Sequence, residues 1–223
     1  MLDSHITIHS VILRSTMSRR RLTPSITPLP QVIPELVVLD TCVLMHTLTR
    51  NLVLRLAQAK LCTPIWGDYI GIEWQRNAPR IWKVEPEVVA QEWQLMQEQF
   101  PAANMGLVTE FERGLKHSDS KDWHVIACAM AAKQRFPNKE CAILTWNIKD
   151  FHRTELRQRN LLLYTPDQYL SLLWPDHQAL FSKLFEQALI DHVNIGRALE
   201  PITGLFKRDR LFRLSRLYQK IQT

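Results

Sequence analysis

Residues 36–44 read Leu36-Val37-Val38-Leu39-Asp40-Thr41-Cys42-Val43-Leu44, and this stretch decides the fold. The apolar run is unbroken rather than alternating, and it stops at a carboxylate. Such a run fits a strand in the middle of a parallel sheet, covered on both faces. Helical spacing follows directly, with Leu44, Leu48, Leu52 and Leu56 recurring through residues 43–59. Further strands are expected over 61–65, 141–145 and 161–164, and Pro64 places its strand at a sheet edge or in a turn. Helices are expected over 68–76 with Asp68 as cap, 86–100, 123–134, 166–173, 177–190 and 207–219. Strands alternating with helices imply an α/β layer fold built on a parallel sheet.

Composition excludes several functions. With 223 residues, 46% hydrophobic and 22% charged, the chain suits one soluble domain with terminal additions. No apolar run approaches the ~20 residues of a membrane-spanning helix. Only 6 glycines are present, and no G-x-G-x-x-G or Walker-type run occurs, which disfavours nucleotide-triphosphate chemistry. Cys42, Cys62, Cys128 and Cys141 are scattered without a C-x-x-C pair. Cys42, Cys128 and Cys141 lie in apolar runs and read as small core hydrophobes, pointing to a reducing cytoplasm rather than a zinc site.

The net charge of +6 is concentrated at the ends. Arg14, Arg19, Arg20 and Arg21 face only Asp3 in residues 1–30. Lys207, Arg208, Arg210, Arg213, Arg216 and Lys220 face only Asp209 in residues 206–223. An acidic middle between basic ends suits a polyanionic partner, although basic termini also serve solubility alone. The apolar stretch Ile6–Leu13 precedes its arginines, the reverse of a signal peptide. Pro24, Pro28, Pro30 and Pro34 mark an extended leader over residues 1–34.

In a parallel sheet, chemistry gathers beyond the carboxyl ends of the strands. Asp40 closes the first strand; Thr145, Asn147 and Asp150 follow the 141–145 strand. Asp119 and Asp122 open the alanine-rich helix, and Glu73 sits among Ile70, Ile72 and Trp74. Each acid has an ordinary alternative. Asp119 and Asp122 suit helix caps, Glu73 an exposed position beside Arg76, and Asp150 a turn. Asp40 is the hardest to explain that way, because it caps nothing unless a helix starts at once. Carboxylates converging without Lys or Arg repel one another, and a hard divalent cation resolves the repulsion. Such a site favours Mg²⁺ or Mn²⁺ over zinc and suits phosphodiester hydrolysis. His124, and the indoles of Trp66, Trp74, Trp82 and Trp93, read as packing groups ahead of any contact with phosphate or bases.

Three segments carry a resemblance. They are Val37–Leu44, Asp119-Ser-Lys-Asp122-Trp-His124-Val-Ile-Ala, and Leu144-Thr-Trp-Asn147-Ile-Lys-Asp150-Phe151. In this order they resemble the PIN-domain family, nearest to the branch of VapC-like toxin components of bacterial toxin–antitoxin systems. Tyr164-Thr-Pro-Asp-Gln-Tyr-Leu is similar to that branch as well. The resemblance implies a three-layer α/β/α sandwich over residues 35–192, followed by a basic helical extension over 193–223. It implies a metal-dependent endoribonuclease using Mg²⁺ or Mn²⁺. Asp40, Glu73, Asp122 and Asp150 would be catalytic and metal-holding, and Asp119 and Thr145 supporting. The family's fourth acidic position falls on Asn147, which leaves Asn147 and Asp150 as alternatives. The implied partners are an RNA substrate, a small cognate antitoxin and a second copy as homodimer. The basic C-terminal helix would grip RNA or dock the antitoxin. Competing readings are an RNA-processing or DNA nuclease without an antitoxin, and a catalytically silent RNA- or protein-binding PIN module.

Overall fold

In the computed structural model, residues 32–221 are described. The expected leader therefore lies outside the described residues, apart from residues 32–34. Strands β1 (Leu36–Leu39), β2 (Thr63–Ile65), β3 (Cys141–Leu144) and β4 (Leu161–Tyr164) form one sheet in the order β2-β1-β3-β4. Every pairing is parallel, with Val38 opposite both Ile65 and Ile143 and Leu144 opposite Tyr164. β1 is internal and all four of its residues are inaccessible, as its unbroken apolar run requires. β2, with Pro64, is an edge strand, where a missing N–H is tolerated.

The chain leaves β1 toward β2 and then returns past it to β3. Right-handed crossovers in opposite directions place the connecting helices on opposite faces. Helix α2 (Thr47–Gln58) packs with α7 (Pro166–Asn194) on one face, and α5 (Trp123–Arg135) crosses β1, β2 and β3 on the other. The result is a three-layer α/β/α sandwich with a parallel centre. The reversal of direction opens a crevice between the carboxyl ends of β1 and β3, where open α/β sheets bind their ligands.

Residues 43–59 form two helices rather than one. Helix α1 (Thr41–Leu44) stops, Met45 and His46 intervene, and α2 begins. Side chains beyond the break, one from α2 itself and one from a distant element, hold it open. The Leu44 carbonyl accepts from buried Arg50 Nη1 at 2.6 Å, and the Met45 carbonyl from Trp82 Nε1 at 3.2 Å. At the start of α2, Asp209 Oδ2 accepts from both the backbone N–H and the hydroxyl of Thr49, each at 2.9 Å. Helix α3 (Asp68–Trp82) starts after Gly67, so Asp68 is its first residue rather than its cap, and it runs past Arg76 through Pro79. It packs on α4 (Pro86–Gln99) so closely that a Cβ on Gly71 would stand 2.3 Å from the Trp93 ring. Trp66 and Trp74 are fully buried around that ring, so neither stacks on a base.

Helix α6 (Arg153–Gln158) has no counterpart in the sequence expectations. The basic segment 207–219 is not one helix: α8 (Ile202–Arg208) and α9 (Phe212–Gln219) are separated by Arg210 at φ 58°. The Asp167 carboxylate accepts from the N–H groups of Arg213 and Leu214, satisfying two donors that the first turn of α9 leaves without an intrahelical partner. Phe206, Leu211 and Leu214 are fully buried, so this segment belongs to the core. Helix α7 kinks at His177, after Pro175. Among the described residues, no helix is long and apolar enough to cross a membrane.

Candidate metal centre

Asp40 and Thr145 each stand one residue past paired strand ends, and Asp40 N–H still donates to the Leu144 carbonyl at 3.2 Å. Helix α1 does start at once, so Asp40 occupies its N-cap position. Its side chain nevertheless makes no capping hydrogen bond. Asp40 Oδ2 instead accepts from Thr145 Oγ1 at 2.5 Å and from Cys42 Sγ at 3.2 Å. The carboxylate is 4% exposed. Burial raises its pKa, the Thr145 and Cys42 hydrogen bonds oppose the rise, and the Glu73 charge adds to it.

Thr145 is inaccessible and also accepts from the Asn147 N–H at 2.9 Å. It thereby fixes both the Asp40 carboxylate and the turn that carries Asn147. Cys42 corrects the sequence reading. Its sulfur contacts Asp40, lies 3.4 Å from Thr145 Oγ1 and accepts from the Trp146 N–H at 3.2 Å. It is a polar link at the crevice rather than a core hydrophobe, and burial beside Asp40 holds the thiol strongly protonated. The D-x-C spacing around Thr41 was its only sequence signal.

Glu73 projects from α3 into the same crevice, where its Oε2 accepts from Thr41 Oγ1 at 2.6 Å. His124 Nε2 is buried, lacks a hydrogen-bond partner and faces the same oxygen at 3.8 Å. The histidine therefore borders the acids directly. Asp122 sits ahead of α5 and, like Asp40, occupies a cap position without capping. Burial pushes its pKa up to about 7, assisted by the charges of Asp40, Asp150, Asp119 and Glu73 in that order. One half-buried carboxylate thus feels all four other acids.

Asp119 takes the ordinary role weighed for it. Its side chain accepts from the Lys121 N–H in the 3-10 turn Ser120–Asp122, and Lys121 Nζ lies 3.9 Å away. Its own N–H donates to the Asp150 carbonyl at 2.8 Å, tying the two acid-bearing loops together. Asp150 ends the 3-10 turn Ile148–Asp150, whose cap position is the exposed Asn147. Of these two, Asp150 is the residue whose charge reaches Asp122.

The donor set fits a hard divalent cation. Oxygen donors dominate, burial and the neighbouring carboxylates raise the proton affinity of Asp40 and Asp122, and no Lys or Arg among the described residues pairs with Asp40, Glu73, Asp122 or Asp150. Among the described residues, no three His, Cys, Asp or Glu side chains already form a ligating group. The acids border one crevice without closing on one point.

The loops behind the site are fixed by Glu155 on α6. Its carboxylate is 2% exposed and accepts from the N–H groups of Lys116 and Ser118 at 2.8 and 2.9 Å and from Ser118 Oγ at 2.8 Å. Burial works against its ionised form, but these donors and His117 N–H outweigh it and bring the pKa down to about 2. Ser118 Oγ in turn accepts from the His152 N–H at 2.9 Å.

No protein-family model matches the sequence, and no curated protein matches it.

Proposed function

We propose that the chain is a Mg²⁺- or Mn²⁺-dependent endoribonuclease of PIN-like architecture, acting as the toxin of a bacterial toxin–antitoxin pair. The observation that carries the nuclease reading is the gathering of Asp40, Glu73, Asp122 and Asp150 at the sheet's switch point with no Lys or Arg paired to them among the described residues. Asp40, Glu73 and Asp122, completed by Asp150 or Asn147, would hold the cation. Bound there, it would supply charge neutralisation for the scissile phosphate and acidity for the attacking water.

The chain's own residues divide the remaining work. Thr145 and Cys42 orient Asp40 by donating to one of its oxygens, leaving the other for a ligand. Thr41 does the same for Glu73, which suits Glu73 to orient or deprotonate water. Single-stranded RNA is the fitting substrate, because its backbone can bend into a crevice between strand ends. The toxin role follows the resemblance of Val37–Leu44, Asp119–Ala127 and Leu144–Phe151, and implies a small antitoxin that covers the acids.

The deciding experiment is Asp40→Asn protein, shown folded by circular dichroism, assayed on single-stranded RNA with Mg²⁺ or Mn²⁺. Cleavage is expected to fall to background; a wild-type rate overturns the reading. Growth arrest on expression, abolished by Asp40→Ala, separates a toxin from a processing nuclease.

A further inference from the structure

A pocket of about 410 Å³ opens beside the acids and plays no part in the site described above. Its walls carry His117, Lys149, His152, Arg153 and Thr154, with the nearly buried Phe151 also lining it. The two imidazoles lie 5.1 Å apart. Among the described residues, neither Lys149 nor Arg153 makes an ion pair or a side-chain hydrogen bond, and both are exposed. His152 Nδ1 accepts from the Glu155 N–H at 3.3 Å, which leaves Nε2 as the nitrogen that donates.

The pocket shares its two loops with the acids. Lys149 adjoins Asp150, and His117 lies two residues before Asp119. The Asp119 N–H to Asp150 carbonyl bond and the Glu155 network hold those loops together. The backbone that carries these exposed cations and imidazoles is therefore fixed next to a cluster of carboxylates, while the charged ends of Lys149 and Arg153 stay free to meet a ligand. A polyanion crossing this surface meets attraction on one side and, at the acids, a demand for a cation.

We infer that the pocket is a phosphate-binding subsite for single-stranded RNA, holding the nucleotide next to the bond presented to the acids. The inference rests on the nuclease reading for the identity of its ligand. Lys149 and Arg153 neutralise backbone phosphate, and His117 and His152 donate to phosphate or sugar oxygens.

The test measures binding of a short fluorescein-labelled single-stranded RNA in EDTA, from 50 to 200 mM KCl. The Lys149→Gln/Arg153→Gln variant is compared with wild type and with Lys60→Gln/Lys183→Gln, which removes the same charge from exposed positions outside the pocket. Losing two phosphate contacts should make the log–log salt slope shallower by about 1.4 for the pocket pair, and leave it unchanged for the control pair. An unchanged slope for the pocket pair, an equal drop for both pairs, or wild-type protein that does not bind the RNA overturns the subsite. Binding in EDTA needs no cleavage. Wild-type protein that binds through the pocket but never cuts with Mg²⁺ or Mn²⁺ overturns the nuclease reading and keeps the subsite. Protein that cuts while the pocket pair binds like wild type overturns the subsite alone.

Discussion

At the residue scale, the site turns on carboxylates that decline an available capping role. Asp40 and Asp122 occupy N-cap positions, yet their oxygens turn toward the crevice instead of the helix. For Asp122 the cost is visible in its proton affinity. Its folded pKa of about 7 lies above the 3.8 of a free aspartate, so the folded state binds the extra proton between those limits. Stability is therefore lost as pH rises from about 4 through 7, by linkage. Asp122→Asn should melt higher than wild type at pH 8 without metal, while losing RNA cleavage; calorimetric melts beside activity assays check both. Adding Mn²⁺ should raise the wild-type melting temperature and leave the variant nearly unmoved. Thr145→Val should weaken Mn²⁺ binding about 10–100-fold, read by isothermal titration, because Asp40 loses the donor that orients it. The strand-ending Asp40 was legible in the sequence from its place after Leu36–Leu39. Cys42 was not, because a thiol in an apolar run gives no sign that a backbone N–H and a carboxylate will meet it.

At the element scale, what could be read from sequence followed the range of the determining contact. β1, β3, β4, α4, α5 and the two halves of α7 are set by local apolar spacing and emerged where expected. The break between α1 and α2 did not, since it is held by Arg50, Trp82 and Asp209 rather than by any local breaker. α6 was invisible because Glu155, its one acid, is satisfied by backbone N–H groups of residues 116–118. The Tyr164–Leu170 motif also acquires a physical meaning. Thr165 and Gln168 form a capping box, and Tyr169 donates to the Pro34 carbonyl at 3.3 Å. Two predictions belong here. Gly71→Ala should destabilise the fold by about 1–3 kcal/mol, because the α3–α4 contact leaves no room for a methyl group beside the Trp93 ring; chemical denaturation measures it. Glu155 has a folded pKa of about 2 against 4.5 for a free glutamate, so its contribution is present above 4.5 and lost as pH falls toward 2. Glu155→Gln should accordingly flatten the acid limb of the stability profile.

At the scale of the whole molecule, the sheet order explains why acids and cations share one edge. The reversal at β1 and β3 gathers the loops after β1, after β3 and before α5 at one end of the sandwich. The C-terminal helices contribute elsewhere, to the core, through Leu205, Phe206, Leu211 and Leu214. A chain ending at residue 205 should therefore be unstable and expose apolar surface, giving a broadened or absent calorimetric transition. Such a deletion cannot isolate RNA binding, whereas the exposed Lys207 and Arg216 can be replaced singly. Asp209 adds a dimension of time. It closes the first turn of α2 across 160 residues of sequence, so the corner bearing Asp40 is completed only once Asp209 has been made. During synthesis, the segment that begins the site waits for that remote residue to leave the ribosome, and all four strands of the sheet emerge while the corner is still unfastened.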